Sequence, residues 1–95
     1  MLLGNVLAKF EDAAFATEAL FTLDDIVLTT RIGEAAAVEE LTPGEFAVQS
    51  IGRFVNGASD EEWLTLIGLM SRAENPGQVF LRRILSNAVA IRPAA

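Results

Sequence analysis

Residues 59–70 decide the fold, and they read Ser-Asp-Glu-Glu-Trp-Leu-Thr-Leu-Ile-Gly-Leu-Met. Ser59 is a good N-terminal cap, and Glu62 at the third helical position completes a capping box. The stretch then enters the densest apolar run of the chain, which includes Trp63, the only tryptophan. Apolar side chains cover most of this predicted helix, so we expect it to be the central helix, buried on more than one side.

Similar start signals divide the rest of the chain. Residues 42–45 form a capping box with proline at the first helical position, and residues 75–78 repeat the pattern with an asparagine cap. Asn56-Gly57 is typical of a helix end with glycine in the left-handed conformation. We therefore predict an all-α fold, a compact bundle of about five short helices with short capped turns: 2–20, 23–41, 43–56, 60–73 and 76–90.

The second predicted helix, 23–41, contains the ambiguous part of the chain. Residues 26–32 are rich in β-branched side chains, which strands favour. We favour a helix because this run continues into the helix-forming residues 34–41, and because a lone strand leaves its backbone groups unpaired. Thr22 is the predicted cap, with Phe21 and Ile26 as a hydrophobic staple around it. We expect any kink at Gly33.

The composition predicts one small domain that associates with itself. Ninety-five residues make at most one domain, 1–95, with fraying expected at 1–3 and 91–95. Apolar residues make up 52% of the chain, which is more than so small an interior can hide. We therefore expect apolar surface that is covered by a partner, and a homodimer is the usual solution.

The charge argues against two classes of partner. The net charge is −6, which disfavours nucleic acid and anionic membrane surfaces. Residues 1–62 carry twelve acids and three bases, whereas residues 63–95 carry one acid and four bases. Two interpretations of this uneven charge remain open. Either the two regions attract each other, within one chain or between chains, or acids collect at helix starts and bases near helix ends because of the helix dipole.

The chemistry of the side chains points away from catalysis. The chain has no cysteine or histidine, which excludes disulfides and thiolate or imidazole metal sites. Adjacent carboxylates such as Asp24 and Asp25 diverge on a helix, and no calcium-binding loop is present. We expect no catalytic residues, no metal and no cofactor. Because the start of the chain lacks a signal-peptide pattern and no apolar run is long enough to span a membrane, we expect a cytoplasmic protein.

These observations favour a small non-catalytic interaction or regulatory module that acts as a homodimer, with a further protein partner possible. The alternative is a small-ligand-binding protein or enzyme subunit with a pocket between helices. A helix-turn-helix DNA-binding regulator over residues 43–72 is disfavoured, because its recognition helix would begin with three acids. The candidate interface comprises the apolar residues of the last two helices and two exposed-looking arginines: Trp63, Leu66, Ile67, Met70, Phe80, Arg82 and Arg83.

Overall fold

The computed structural model describes residues 3–91, and over this range it is all-α, as predicted. The side chains of Leu3, Val6 and Ile91 are outside the description, as are residues 1, 2 and 92–95, where most of the expected fraying falls. The described helices are α1 (Leu3–Lys9), α2 (Ala13–Thr22), α3 (Ile26–Val38), α4 (Pro43–Gly57), α5 (Asp60–Ser71) and α6 (Pro76–Ile91).

The prediction of one helix over residues 2–20 is wrong, because the helix is interrupted between α1 and α2. Asp12 caps α2, its Oδ1 accepting a hydrogen bond from the Ala14 amide at 2.9 Å. An aspartate competes for backbone amides in this way and so favours a helix start over a helix interior. The break places Phe10 in the core, where its ring stacks on Phe80 with centroids 5.7 Å apart.

The start predicted for the second helix is also wrong. Thr22 ends α2, and Asp25 caps α3 by accepting a hydrogen bond from the Leu28 amide at 3.0 Å. Asp24 turns the chain between the two helices with a φ of 53°. Phe21 and Ile26 are 83% and 82% exposed, so they form no staple.

The ambiguous residues 26–32 are helical, as favoured above, but α3 ends at Val38 instead of residue 41. Glu40 adopts a left-handed φ of 60°, and the Leu41 amide donates to the Ala36 carbonyl at 2.9 Å. This is the hydrogen-bond pattern of a Schellman motif, formed here without glycine. The strained backbone at Glu40 is offset by the satisfied carbonyl at the helix end.

The last three helices begin where the sequence predicts. Both capping boxes form, Thr42 with Glu45 and Ser59 with Glu62. The conformation predicted for the end of α4 is wrong. Gly57 was expected to be left-handed, but no described glycine has a positive φ. Gly57 stays helical, and Ala58 leaves the helix in an extended conformation. Helix α5 ends at Ser71, two residues earlier than predicted, and α6 extends to Ile91.

The central helix is α4, not α5 as predicted from residues 59–70. Helix α4 packs against α2, α3 and α6, whereas α5 packs mainly on α6. Leu66 is the one fully buried residue of α5. The largest side chains of the core come from α3, α4, α5 and α6: Ile32, Phe46, Leu66, Phe80, Leu81 and Leu85. Helix α5 therefore lies at the edge of the bundle with one side facing outward.

Candidate self-association surface

The outer face of α5 carries exposed apolar side chains. Leu64 is 71% exposed and Ile67 is 46% exposed. Residues three and four apart stack on one side of a helix, so these two lie together with Gly68, which has open space beyond its Cα. We call Asp60, Glu61, Leu64, Ile67, Gly68 and Arg72 the outer face of α5.

Charge divides the outer face of α5 into two ends. Asp60 and Glu61 lie in the first turn, and Arg72 is the C-terminal cap. None of these three side chains forms an ion pair with another described residue. Each charge also suits the helix dipole at its own end. The face is therefore acidic at its start, apolar in its middle and basic at its end.

The predicted interface residues of α5 do not share one surface. Leu66 is fully buried in the chain's own core. Trp63 and Met70 are half-buried and pack against the core, and the Trp63 ring meets Phe54 edge-on with centroids 4.8 Å apart. Of this group, Ile67 is the residue that lies on the outer face.

The predicted interface residues of α6 separate as well. Phe80 is fully buried. Arg82 donates to Asp25 Oδ2 and to the Leu23 carbonyl, both at 2.7 Å, and so ties α6 to the start of α3. Arg83 is exposed. Arg82 thus joins two helices of its own chain, whereas Arg83 is the more exposed of the pair.

Sequence reasoning missed Leu64 and the role of Gly68. Leu64, Gly68 and Arg72 follow Glu61 by three, seven and eleven residues, and this spacing, the available signal, places all four on one side of the helix. The stretch is apolar on nearly all sides, so its outward side could not be chosen without knowing that α5 is at the edge of the bundle.

A second exposed apolar group lies where α2 meets α3. Phe21, Ile26 and Val27 are 71–83% exposed. The charged side chains between them in the sequence are Asp24 and Asp25, and Asp25 is already paired with Arg82. Two copies of this group would bring their Asp24 carboxylates, which form no ion pair with a described residue, near each other, and this like-charge contact opposes association. The outer face of α5 has no such conflict when two copies run antiparallel.

The described residues were also searched for metal clusters and for membrane-spanning helices. Among residues 3–91, no group of three or more potential ligand side chains is arranged to hold a metal ion. No helix in the same range is long and apolar enough to pass through a membrane.

Comparison with protein-family models, curated proteins and solved structures found no match to this chain. Any functional assignment therefore depends on the geometry of the chain itself.

Proposed function

We propose that the protein is a small non-catalytic interaction module that acts as a homodimer, with α5 of one chain packed antiparallel on α5 of the second. The observation that carries this proposal is the outer face of α5, where exposed Leu64 and Ile67 lie between an acidic start and a basic end. In a twofold-symmetric dimer the same patch meets itself, so the patch must be complementary to its own rotated copy.

The order of residues along α5 meets that requirement. With the twofold axis near the middle of the helix, Asp60 of one chain lies opposite Arg72 of the other, and Leu64 lies opposite Gly68. A leucine facing a glycine allows two helices to approach closely, because the glycine has no side chain to displace. Opposite charges then meet at both ends of the contact.

The apolar contribution is modest. Complete burial of a leucine or isoleucine stabilises by about 1.5–3 kcal/mol. Leu64 and Ile67 are already partly covered in the single chain, so dimerisation removes only part of each side chain's apolar area from water. We therefore expect a weak and reversible dimer, as suits a regulatory contact.

Substitution of Leu64 tests the proposal. Light scattering at about 100 μM, a concentration at which weak dimers are populated, should give up to twice the 10.2 kDa mass of one chain. Leu64→Lys should return the mass to that of one chain, because it places a charge in the centre of the contact. Ile26→Lys is the matched control, since Ile26 is at least as exposed but lies on α3.

The possible outcomes separate the alternatives. Loss of the dimer in Ile26→Lys but not in Leu64→Lys would move the interface to the group around Phe21. A wild-type protein that stays at the mass of one chain would contradict the proposal.

The helix-turn-helix alternative has little support, because α5 begins with Asp60, Glu61 and Glu62 where phosphates would have to bind.

A further inference from the structure

A groove of about 380 Å³ lies between α4, α6 and the first turn of α5. Its size falls in the usual range for small-molecule sites. Phe54, Ile84 and Ala88 supply apolar lining, and Ser50 lies among them. The groove is separate from the outer face of α5, so it is independent of the proposed dimer.

Ser50 is the unusual member of this lining. It is 4% exposed, and its hydroxyl makes no hydrogen bond in the described structure. Several other helical hydroxyls donate to a carbonyl one turn earlier, as Thr17 does to Ala13 and Thr65 does to Glu61. A buried hydroxyl without a partner is destabilising, and alanine at this position would avoid that cost and favour the helix.

The charged side chains of the groove already have partners. Arg53 pairs with Glu39 at 3.5 Å and contacts Gln49 at 3.4 Å. Glu62 accepts hydrogen bonds from the backbone and hydroxyl of Ser59. With one cation and one anion, each engaged, the groove offers no net charge to attract an ion. It offers apolar surface, the buried Ser50 hydroxyl and the exposed amide of Asn87.

We propose that this groove binds a neutral small molecule with an apolar body and one hydroxyl or carbonyl group, and that this group forms a hydrogen bond with Ser50. The apolar body contacts Phe54, Ile84 and Ala88. The Ser50 oxygen is covered in the free protein, so the bond requires the side chain to rotate to another staggered rotamer, which moves the oxygen without moving the backbone of α4. The ligand then satisfies the hydroxyl that the protein leaves without a partner.

Two probes that differ by one hydroxyl test this proposal: benzyl alcohol and toluene. In an NMR titration of the whole chain, benzyl alcohol should shift amide signals of α4 and α6 around the groove. Ser50→Ala should weaken its binding by about three- to tenfold, the usual effect of one hydrogen bond, and leave toluene binding unchanged. Ser86→Ala, an exposed serine on α6, is the matched control and should bind both probes as the wild type does.

The thermal midpoint of the free variants gives an independent readout. Ser50→Ala should melt no lower than the wild type, because it removes a hydroxyl that has no partner in the free protein. Shifts that lie outside the groove, no binding of benzyl alcohol, or equal affinity for it in wild type and Ser50→Ala would overturn the proposal. A lower midpoint for Ser50→Ala would also count against it, since it would show that the hydroxyl is already bonded within the chain.

Discussion

Ser50 and Ser59 show how the same side chain has opposite effects in two settings. Ser59 caps α5, accepting from the Glu62 amide at 3.1 Å, while Glu62 reaches back to the Ser59 amide. Ser50 lies buried inside α4 without a partner. Capping is a local interaction and follows from sequence, so Ser59 could be predicted. The burial of Ser50 depends on how α4 packs against helices that are distant in the sequence, so it could not be predicted.

Removal of the Ser59 cap should destabilise the protein. Ser59→Ala leaves a first-turn amide of α5 without its side-chain acceptor, which costs about 0.5–2 kcal/mol. Urea denaturation measures the free energy of unfolding directly. Ser86→Ala is the control, because Ser86 is exposed within α6 and caps nothing. Equal stability of Ser59→Ala and wild type would show that this capping box contributes nothing.

At the scale of elements, the approach of α2 to α4 depends on a glycine. Gly44 is buried, and a Cβ at this position would collide with the Thr17 hydroxyl and the Ala13 carbonyl. Gly52 lies two turns further along the same helix, and a Cβ there would have no neighbouring atom within 4 Å. Close packing therefore requires glycine at position 44 of α4 but not at position 52.

Substitution by alanine should separate these two positions. Gly44→Ala should destabilise by about 1–3 kcal/mol, because α2 must shift away from α4 to accept the methyl group. Gly52→Ala should stabilise by about 0.5–1 kcal/mol, since alanine restricts the unfolded chain and favours the helix. Thermal unfolding of both variants checks this, and a stabilising Gly44→Ala would mean that the helices are not in close contact there.

The elements also show where sequence reasoning succeeds and fails. The starts of α4, α5 and α6 are correct because each depends on a capping residue within three positions. The break at Asp12 was missed because apolar spacing continues across it, and the start of α3 was placed three residues too early because Thr22 also suits a cap. The position of α5 in the bundle was predicted wrongly, because its many apolar residues suggested a central helix. Helix α4 takes the central position by packing against α2, α3 and α6, and this leaves α5 at the edge.

For the candidate site the same limits apply. The sequence indicated surplus apolar surface and named α5 as a place for a second copy. The sequence alone could not show that Leu66 and Phe80 are buried in the core or that Arg82 forms an ion pair with Asp25. It also could not show that Leu64 faces outward. Those distinctions depend on neighbours that are distant in sequence.

At the scale of the whole molecule, the uneven charge forms an ion pair within the chain and, in the proposed dimer, a second ion pair between chains. The Arg82–Asp25 pair joins the basic last third of the chain to the acidic part within one molecule. Arg72 has no such partner among the described residues. In the proposed dimer its partner is Asp60 of the second chain, so the same charge pattern operates once within the fold and once between copies.

A charge exchange tests the antiparallel α5 contact most directly. Analytical ultracentrifugation would measure the dimer dissociation constant of wild type, Asp60→Arg, Arg72→Asp and the double variant. Each single substitution places like charges together at both ends of the contact and should weaken the dimer about tenfold. The double variant restores opposite charges and should recover most of the affinity. Four equal dissociation constants, or a wild-type protein that remains a monomer, would contradict the account.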